Sequence, residues 1–172
     1  MKHCNKIHII GEVGSGKTYL AGKLSQQLNI NYYQLDNVVW RRGEDSDTRN
    51  PQEVRDAILN DIVNKEKWII EGVHYKWVQR SFELADVIIY LETNVFIRDI
   101  QMLKRFIKQK LGLEKGNYNQ TLKNVYIMIK WNHKFNTERK PLIDKILYSF
   151  DYKVHKFKSN KQVIQYYLDK NC

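Results

Sequence analysis

The segment Gly11–Thr18, GEVGSGKT, constrains the fold of this chain more than any other stretch. It follows the largely apolar run Ile7–Ile10 and precedes a stretch with apolar residues at helical spacing. This is the pattern G-x-x-x-x-G-K-[ST] of a phosphate-binding P-loop, which lies between a strand and a helix. Its glycines let consecutive backbone N–H groups turn inward around a phosphate, and the N-terminus of the following helix adds to that anion site.

The motif also predicts roles for two individual side chains. Lys17 is expected to reach the β and γ phosphates of a nucleotide, and the Thr18 hydroxyl is expected to bind Mg²⁺. The sequence therefore predicts a nucleotide site. Its predicted binding residues are Gly11, Glu12, Val13, Gly14, Ser15, Gly16, Lys17 and Thr18.

The 172 residues fit one domain with a single well-buried core, and we predict one domain over 1–172. No run approaches the roughly 18 uncharged apolar residues that a membrane span needs. The N-terminus enters the first strand through charged residues, without the apolar region of a signal peptide. We expect a cytoplasmic protein with no membrane partner, either a monomer or a homodimer.

Positive charge is concentrated in the second half of the chain. Residues 95–172 hold 17 Lys/Arg and 6 Asp/Glu, whereas residues 1–94 hold 12 and 13. A phosphate-rich ligand explains such an excess, and so does nucleic acid, while a lysine-rich solvated surface is the plainest explanation. No helix-turn-helix, zinc finger or other recognised reader is present, which weighs against nucleic acid.

Apolar runs alternate with helical patterns along the chain, which indicates a parallel sheet covered on both faces. The predicted strands are residues 6–10, 30–35, 68–70, 87–91 and 152–157. Helical patterns occupy 17–28, the stretch after Pro51, part of 73–84, the stretch from Asn94, 122–131, the stretch from Pro141 and 162–168. Two further stretches, 37–50 and 132–140, are predicted as polar loops.

The long helix that begins after Asn94 has two distinct faces. Arg98, Arg105 and Lys108 are seven and three residues apart and share one face. An apolar stripe, which such a pattern normally places toward the core, occupies the other. The stripe consists of Phe96, Ile97, Ile100, Leu103, Ile107 and Leu111.

Taken together, these segments resemble the adenylate-kinase-related P-loop proteins, and among them the bacterial topology modulation protein, or FlaR-like, group. Besides the P-loop, the resemblance rests on YYQLD ending at Asp36, WIIEG ending at Glu71-Gly72, the ADVIIYLE strand and the helix with Arg98 and Arg105. It covers nearly the whole chain. It implies a three-layer α/β fold of the nucleoside-kinase type, with five parallel strands in the order 2-3-1-4-5 and a small helical lid at about 105–140.

The resemblance also implies roles for site residues. The P-loop would hold the phosphates of ATP, and Glu71 beside it would hold a Mg²⁺-bound water. Asp36 would contact an acceptor hydroxyl, as in relatives of the shikimate kinase type. Arg105, and with less support Arg98, would neutralise the transferred phosphoryl charge. Two features depart from the family. The lid region holds mostly lysines plus Arg139, and no clear arginine signature for binding a nucleoside monophosphate lies between Asp36 and Arg55. This leaves the acceptor open between a small molecule and a nucleotide.

Each of these residues also has a structural explanation. Asp36 can cap a helix or loop, Glu71 can anchor the glycine turn after it, and Arg105 can be a solvated helix cation. Asp86 is assigned to structure because it precedes its strand, and Glu92 is predicted to cap a helix. A set of rings either lines an acceptor pocket or belongs to the core. These are Tyr32, Tyr33, Trp40, His74, Tyr75 and Trp77.

The leading interpretation is a Mg²⁺-dependent ATP phosphotransferase that acts on a small-molecule or nucleotide acceptor. A nucleic-acid-associated P-loop ATPase or regulator is the alternative, in keeping with the topology modulation group and the basic second half. A nucleotide-binding protein without turnover is the third interpretation.

Overall fold

The computed structural model describes residues 4–41, 43, 47–113 and 121–169. Five parallel strands form the central sheet, in the spatial order β2-β5-β1-β6-β7. They are β1 (Lys6–Gly11), β2 (Tyr32–Gln34), β5 (Trp68–Gly72), β6 (Val87–Leu91) and β7 (Val154–Phe157). Counted along the chain, this is the order 2-3-1-4-5, so the predicted fold class and strand order are confirmed. A separate hairpin pairs β3 (Trp40–Arg41) with β4 (Thr48–Arg49).

Helices cover both faces of this sheet. They are α1 (Lys17–Leu28), α2 (Leu35–Val39), α3 (Gln52–Val63), α4 (Gln79–Leu84), α5 (Val95–Lys110), α6 (Leu122–Glu138), α7 (Lys140–Tyr148) and α8 (Asn160–Asp169). Of the predicted lid at about 105–140, residues 114–120 lie outside the described part of the chain.

The core consists of two apolar clusters, one on each face of the sheet. Side chains alternate across a strand, so β1 places Ile7 and Ile9 in the cluster under α1 and α8, and Ile10 in the other. That second cluster packs against α3, α4, α6 and α7. Because β1 is paired on both edges and covered on both faces, its carboxyl end is a rigid base for the loop that follows it.

Three predicted boundaries are wrong. The second strand was expected over 30–35, but β2 ends at Gln34 and Leu35 begins α2, whose Leu35, Val38 and Val39 are buried. The stretch 37–50 is therefore part helix and part hairpin, with residues 42 and 44–46 outside the described chain. The fifth strand begins at Val154, after a 3₁₀ turn at Asp151–Lys153, and not at 152.

The predicted loop at 132–140 is also wrong, because α6 continues to Glu138. Its polar residues have tertiary partners on α5. The Asn132 amide donates to Asp99 Oδ1 at 2.6 Å and to the Val95 carbonyl at 3.3 Å, and His133 Nε2 lies 2.8 Å from Asp99 Oδ2. Polarity at these positions thus reflects helix–helix contact and not a solvated loop.

The expected burial of the α5 apolar stripe is contradicted as well. The buried side chains of α5 are Arg98 and Met102, whereas all six residues of the stripe are 43–67% exposed. The polar face of α5 is turned toward the P-loop, as the next section describes.

Candidate active site

The P-loop connects β1 to α1 and depends on glycine at specific positions. Gly14 and Gly16 adopt φ values of +75° and +87°, in the left-handed region that disfavours side chains. A Cβ on Gly11 would lie 2.9 Å from the Leu91 carbonyl oxygen and 2.9 Å from Ser15 Oγ. Packing excludes a side chain at Gly11, while conformation favours glycine at the other two positions.

Lys17 and Glu12 are both buried inside this loop. Lys17 Nζ donates to the Glu12 carbonyl oxygen at 2.9 Å, and Glu12 Oε1 accepts from the Val13 N–H at 2.9 Å. Burial lowers the pKa of Lys17, and the negative charges of Glu71, Glu12 and Asp36 oppose that shift. Two donors that a P-loop offers to phosphate, Lys17 Nζ and the Val13 N–H, are thus bonded to oxygens of Glu12.

Glu71 lies at the carboxyl end of β5, directly beside the loop. It is in register with Ile9 of β1 and Gln34 of β2, and its Oε1 accepts from Thr18 Oγ1 at 2.7 Å. Burial raises the pKa of Glu71, while Lys17 and the bond from Thr18 act in the opposite direction. The structure therefore brings the predicted Mg²⁺ ligand and the predicted water-holding carboxylate into direct contact.

These residues fit ATP and Mg²⁺. A hydroxyl and a carboxylate are the oxygen ligands that Mg²⁺ takes in nucleotide sites, where phosphates and water complete the shell. The described residues contain no group of three or more His, Cys, Asp or Glu that could hold a metal, so a site built only from such side chains is absent among them. Ser15 Oγ is buried without a hydrogen-bond partner among the described residues. A Cβ on Gly11 would lie 2.9 Å from this oxygen.

Arg98 lies behind the P-loop on the polar face of α5. A Cβ on Gly14 would be only 2.7 Å from the Arg98 carbonyl oxygen, so the first turns of α5 pack directly on the loop. The guanidinium lies 5.1 Å from the Phe135 ring centroid, and its NH2 donates to Asn136 Oδ1 at 3.4 Å. Burial lowers the pKa of Arg98, and the charge of Glu12 opposes this.

Arg105 is half-buried two turns further along the same face of α5. Its positive charge acts on Glu71 and lowers the pKa of that carboxyl. The charge of Glu12 thus acts on Arg98, and the charge of Arg105 acts on Glu71. Both predicted arginines lie near the loop, whereas Lys108 is exposed.

Asp36 lies in the first turn of α2 and its side chain is largely exposed. His74 Nε2 is 3.5 Å from Asp36 Oδ1, and the His74 ring packs against Trp77 with centroids 5.3 Å apart. Asp36 follows β2, whose Gln34 is in register with Glu71, and its charge acts on both Lys17 and Glu71. The structure thus groups Lys17, Glu71 and Asp36 at one end of the sheet.

Two contacts on the loop were not predicted. Asn160 Nδ2 donates to the Gly16 carbonyl at 3.0 Å, and Thr93 Oγ1 donates to the Ser15 carbonyl at 3.3 Å. Each polar residue follows the carboxyl end of a strand, β6 for Thr93 and β7 for Asn160. The sequence contains a signal for both residues, because polar side chains that follow parallel strands lie at the edge of the sheet where the P-loop also lies.

Glu92 does not cap a helix. It forms an ion pair with Lys140 at 2.7 Å, and the Asn94 side chain caps α5 instead by accepting from the Phe96 N–H. Asp86 has the structural role assigned to it, since its Oδ2 accepts from the backbone N–H groups of Asn5 and Lys6 at 2.8 and 2.9 Å.

Some of the candidate pocket rings pack against the core and some line a cavity, and Tyr33 does both. Tyr33, Tyr75 and Trp77 pack against the core cluster beneath α3 and α4. An open cavity of about 450 Å³ lies beside the edge strand β2. It is lined by Tyr32, Tyr33, Gln34, Asn37, Val38, Ile58 and Ile62.

No protein-family profile matches the sequence. The chain is 29% identical over 108 residues to an uncharacterized protein, YqaC, of Bacillus subtilis (strain 168), an alignment that covers 63% of this chain and 60% of that protein. It is 23% identical over 152 residues to a shikimate kinase of Wigglesworthia glossinidia brevipalpis, with 81% of this chain and 82% of the kinase covered. The match to YqaC thus spans less than two thirds of that protein's length.

Solved structures share the fold over almost the entire chain. A shikimate kinase from Acinetobacter baumannii in complex with shikimate superposes with a TM-score of 0.61 at 15% identity, covering 98% of this chain and 96% of that one. A deoxyadenosine kinase from M. mycoides with bound dATP superposes with a TM-score of 0.50 at 14% identity, covering 96% of this chain and 98% of that one. The fold is that of the P-loop small-molecule and nucleotide kinases.

These comparisons do not confirm the finer resemblance to the topology modulation group, and they offer no support for the nucleic-acid alternative. Within the described part of the chain, no helix has the length and apolar character needed to cross a bilayer.

Proposed function

We propose that this protein is a Mg²⁺-dependent phosphotransferase that moves the γ-phosphoryl group of ATP to the hydroxyl of a small acceptor. The observation that carries the proposal is the 2.7 Å bond from Thr18 Oγ1 to Glu71 Oε1, formed beside buried Lys17 at the carboxyl ends of β1 and β5. Phosphoryl transfer requires positioning and compensating charge more than covalent participation by the protein. The loop, Glu71 and the arginines of α5 supply those two things.

Asp36 is the residue we assign to the acceptor. It would accept the proton of the acceptor hydroxyl while that oxygen forms a bond to the γ-phosphorus. The bond from the γ-phosphorus to the oxygen that bridges it to the β-phosphorus breaks, and ADP leaves with the bonding electron pair. The exposed Asp36 side chain suits this role because an acceptor can reach it from solvent.

The cations near the loop have separate tasks in this proposal. Lys17 would leave the Glu12 carbonyl and contact the β and γ phosphates, and Arg105 would neutralise charge on the transferred group. Mg²⁺ held by Thr18, with a bound water held by Glu71, would supply charge neutralisation between the β and γ phosphates. Arg98 would hold α5 and Glu12 against the loop.

A small hydroxyl compound is the acceptor class with the most support. The similarity to the Wigglesworthia shikimate kinase extends over 81% of this chain, and the superposition on the Acinetobacter enzyme extends over 98%. Asp36 follows β2 where the resemblance places the acceptor-contacting carboxylate. A nucleoside or nucleotide is the second acceptor class, which the deoxyadenosine kinase fold supports.

A coupled assay for ADP release tests the proposal. The acceptor panel contains shikimate, other hydroxy acids, sugars, nucleosides and nucleoside monophosphates, each with ATP and Mg²⁺. We expect ADP formation that depends on one acceptor class, is abolished in Lys17→Ala and is retained in Lys23→Ala, an exposed lysine of α1. ATP binding without acceptor-dependent ADP across the panel would instead favour a nucleotide-binding protein without turnover.

A further inference from the structure

The outward face of α5 is apolar along its whole length. Six large side chains are 43–67% exposed, and Leu113 just beyond the helix is more exposed still. They recur at spacings of three and four residues, so they form one continuous stripe. The six are Phe96, Ile97, Ile100, Leu103, Ile107 and Leu111. A patch of this kind on a folded protein marks an interaction surface.

The stripe cannot turn inward without dismantling the candidate active site. The opposite side of α5 carries Arg98 and Met102, and it packs against the P-loop. A Cβ on Gly14 would lie 2.7 Å from the Arg98 carbonyl oxygen and 3.2 Å from Met102 Cγ. Arg98 is 2% exposed and faces the charge of Glu12. Because its polar face is packed on the P-loop, α5 presents its apolar face to the outside.

Helix α6 widens this apolar surface. The contacts of Asp99 with His133, and of Phe96 with the His133 ring at 6.3 Å, join the start of α5 to the second half of α6. Tyr126 and Leu122 lie seven and eleven residues before His133, so they share the side of α6 on which His133 meets Phe96. Tyr126 and Leu122 are 68% and 73% exposed. We call the stripe together with these two residues the α5 face.

The charges that border the α5 face are positive. Lys104, Lys108 and Lys110 are exposed on α5 itself, and none of the exposed residues over 95–113 is acidic. The one carboxylate of that range, Asp99, is engaged by Asn132 and His133 of α6. A partner that covers this surface therefore meets a band of apolar side chains flanked by ammonium groups.

We propose that the α5 face binds the surface of an anionic lipid bilayer. A helix with an apolar stripe and lysines beside it lies in the plane of such an interface, with the stripe among the acyl chains and the ammonium groups at the lipid phosphates. The stripe side chains are largely exposed on a single helix flanked by lysines, which suits the surface of an anionic bilayer. This mode of binding needs no helix long enough to cross the bilayer.

A second copy of the chain fits this surface less well. In a twofold antiparallel pairing of two α5 helices, the same flank of each helix meets, so Lys104 and Lys108 would face Lys104 and Lys108 of the other copy. Like charges opposite one another are destabilising. Anionic lipid headgroups complement the same lysines.

Vesicle co-sedimentation of the whole protein tests the proposal. The probes are vesicles of phosphatidylcholine alone and vesicles of phosphatidylcholine mixed with phosphatidylglycerol. We expect binding to the mixed vesicles and little to phosphatidylcholine alone. Replacing Lys104 and Lys108 with Gln is expected to weaken partitioning about fivefold per lysine. Replacing Ile100 and Ile107 with Gln is expected to weaken it about tenfold or more per residue, because the buried apolar area is lost.

Matched controls separate this surface from general effects. Lys23→Gln with Lys65→Gln removes the same charge from exposed sites elsewhere, and Val54→Gln with Leu142→Gln removes exposed apolar side chains outside the α5 face. Both controls are expected to bind the mixed vesicles as the unmodified protein does. All the variants alter exposed side chains, so unchanged circular dichroism and thermal melting are expected for each.

Three outcomes would overturn the proposal. The first is no sedimentation with either kind of vesicle. The second is binding that Ile100→Gln with Ile107→Gln leaves intact, which would mean that the net charge alone attracts the protein. The third is a concentration-dependent dimer in analytical ultracentrifugation that the isoleucine variant dissociates while vesicle binding is absent, which would assign the α5 face to a second copy.

Discussion

Glu12 places a carboxylate inside a loop that we propose binds phosphate. It is 3% exposed, accepts from the Val13 N–H, and its charge acts on Lys17 and Arg98. The P-loop motif allows any residue at the position of Glu12, so the motif does not predict a buried carboxylate there. The Arg98 guanidinium on which its charge acts comes from a helix more than eighty residues later in the sequence.

Replacing Glu12 with Gln is predicted to tighten ATP binding. Gln keeps an oxygen for the Val13 N–H but removes the negative charge, and two like charges a few ångströms apart repel by about 2 kcal/mol or more at an effective dielectric of about 20. We expect the Kd for ATP to fall by about tenfold or more, measured by calorimetry in the presence of Mg²⁺. Glu53→Gln, an exposed site in the first turn of α3, is the control for net charge. Unchanged or weaker binding in Glu12→Gln would show that its carboxylate does not compete with phosphate.

Arg105→Ala is predicted to abolish phosphoryl transfer while ATP binding stays largely intact. An arginine that neutralises the transferred group contributes about 10³ to 10⁵ in rate, and Arg105 acts electrostatically on Glu71. Turnover is measured with the acceptor found in the ADP-release assay, and the Kd for ATP is measured in parallel. Lys104→Ala, the exposed neighbour on α5, is the matched control. Unchanged turnover in Arg105→Ala would remove this residue from the mechanism.

At the scale of elements, the boundaries that sequence reasoning missed have tertiary causes. Polarity predicts a loop over 132–140, but Asn132 and His133 lie in α6 and contact Asp99 of α5. The stripe on α5 was correctly recognised as one apolar face. Periodicity shows that such a face exists but not which side of the helix the rest of the chain covers.

The central strand β1 contains a histidine that makes stability depend on pH. Ser81 Oγ donates to the Val78 carbonyl at 2.7 Å, so it accepts from His8 Nδ1 at 2.9 Å, and His8 is neutral with its proton on Nδ1. Burial lowers the pKa of His8 to about 3. In the unfolded chain the pKa is about 6.5.

Acid is therefore predicted to destabilise the protein through His8. As the pH falls below about 6.5, the unfolded chain binds a proton that the folded chain does not, and the free energy of unfolding falls by up to about 1.4 kcal/mol per pH unit. Urea unfolding between about pH 7 and pH 4 should show this slope in the unmodified protein and a correspondingly smaller one in His8→Leu. Equal slopes in the two proteins would contradict a buried neutral His8.

Lys153, in the 3₁₀ turn before β7, contacts the end of α4, although no sequence pattern indicated it. Its Nζ donates to the carbonyl oxygens of Glu83 and Ala85 at 2.8 and 2.9 Å, and it is 8% exposed. Lys153→Met leaves these carbonyls without their charged donor, so we predict a loss of about 1.5 to 3 kcal/mol in the free energy of unfolding. Urea titration measures the loss, with exposed Lys161→Met as the control. A loss equal to that of the control would show that the Lys153 contacts do not stabilise the fold.

At the scale of the whole molecule, the topology assembles the site. The carboxyl ends of the five parallel strands lie at one edge, where they place the P-loop after β1, Glu71 at the end of β5 and Asp36 after β2. The strand order was implied by the resemblance to the adenylate-kinase-related proteins. The parallel sheet and the strand-end positions of Glu71 and Asp36 were predictable from the alternating apolar and helical patterns. The burial of Arg98 was not predictable, since it depends on the packing of α5 against the P-loop.

Calorimetric titration with ATP at physiological Mg²⁺ tests the central claim most directly, namely that Gly11–Thr18 binds the terminal phosphates of a nucleotide. We predict saturable binding to the unmodified protein that is lost in Lys17→Ala and retained in Lys23→Ala. No detectable heat with ATP or GTP, or equal binding by Lys17→Ala, would contradict the account.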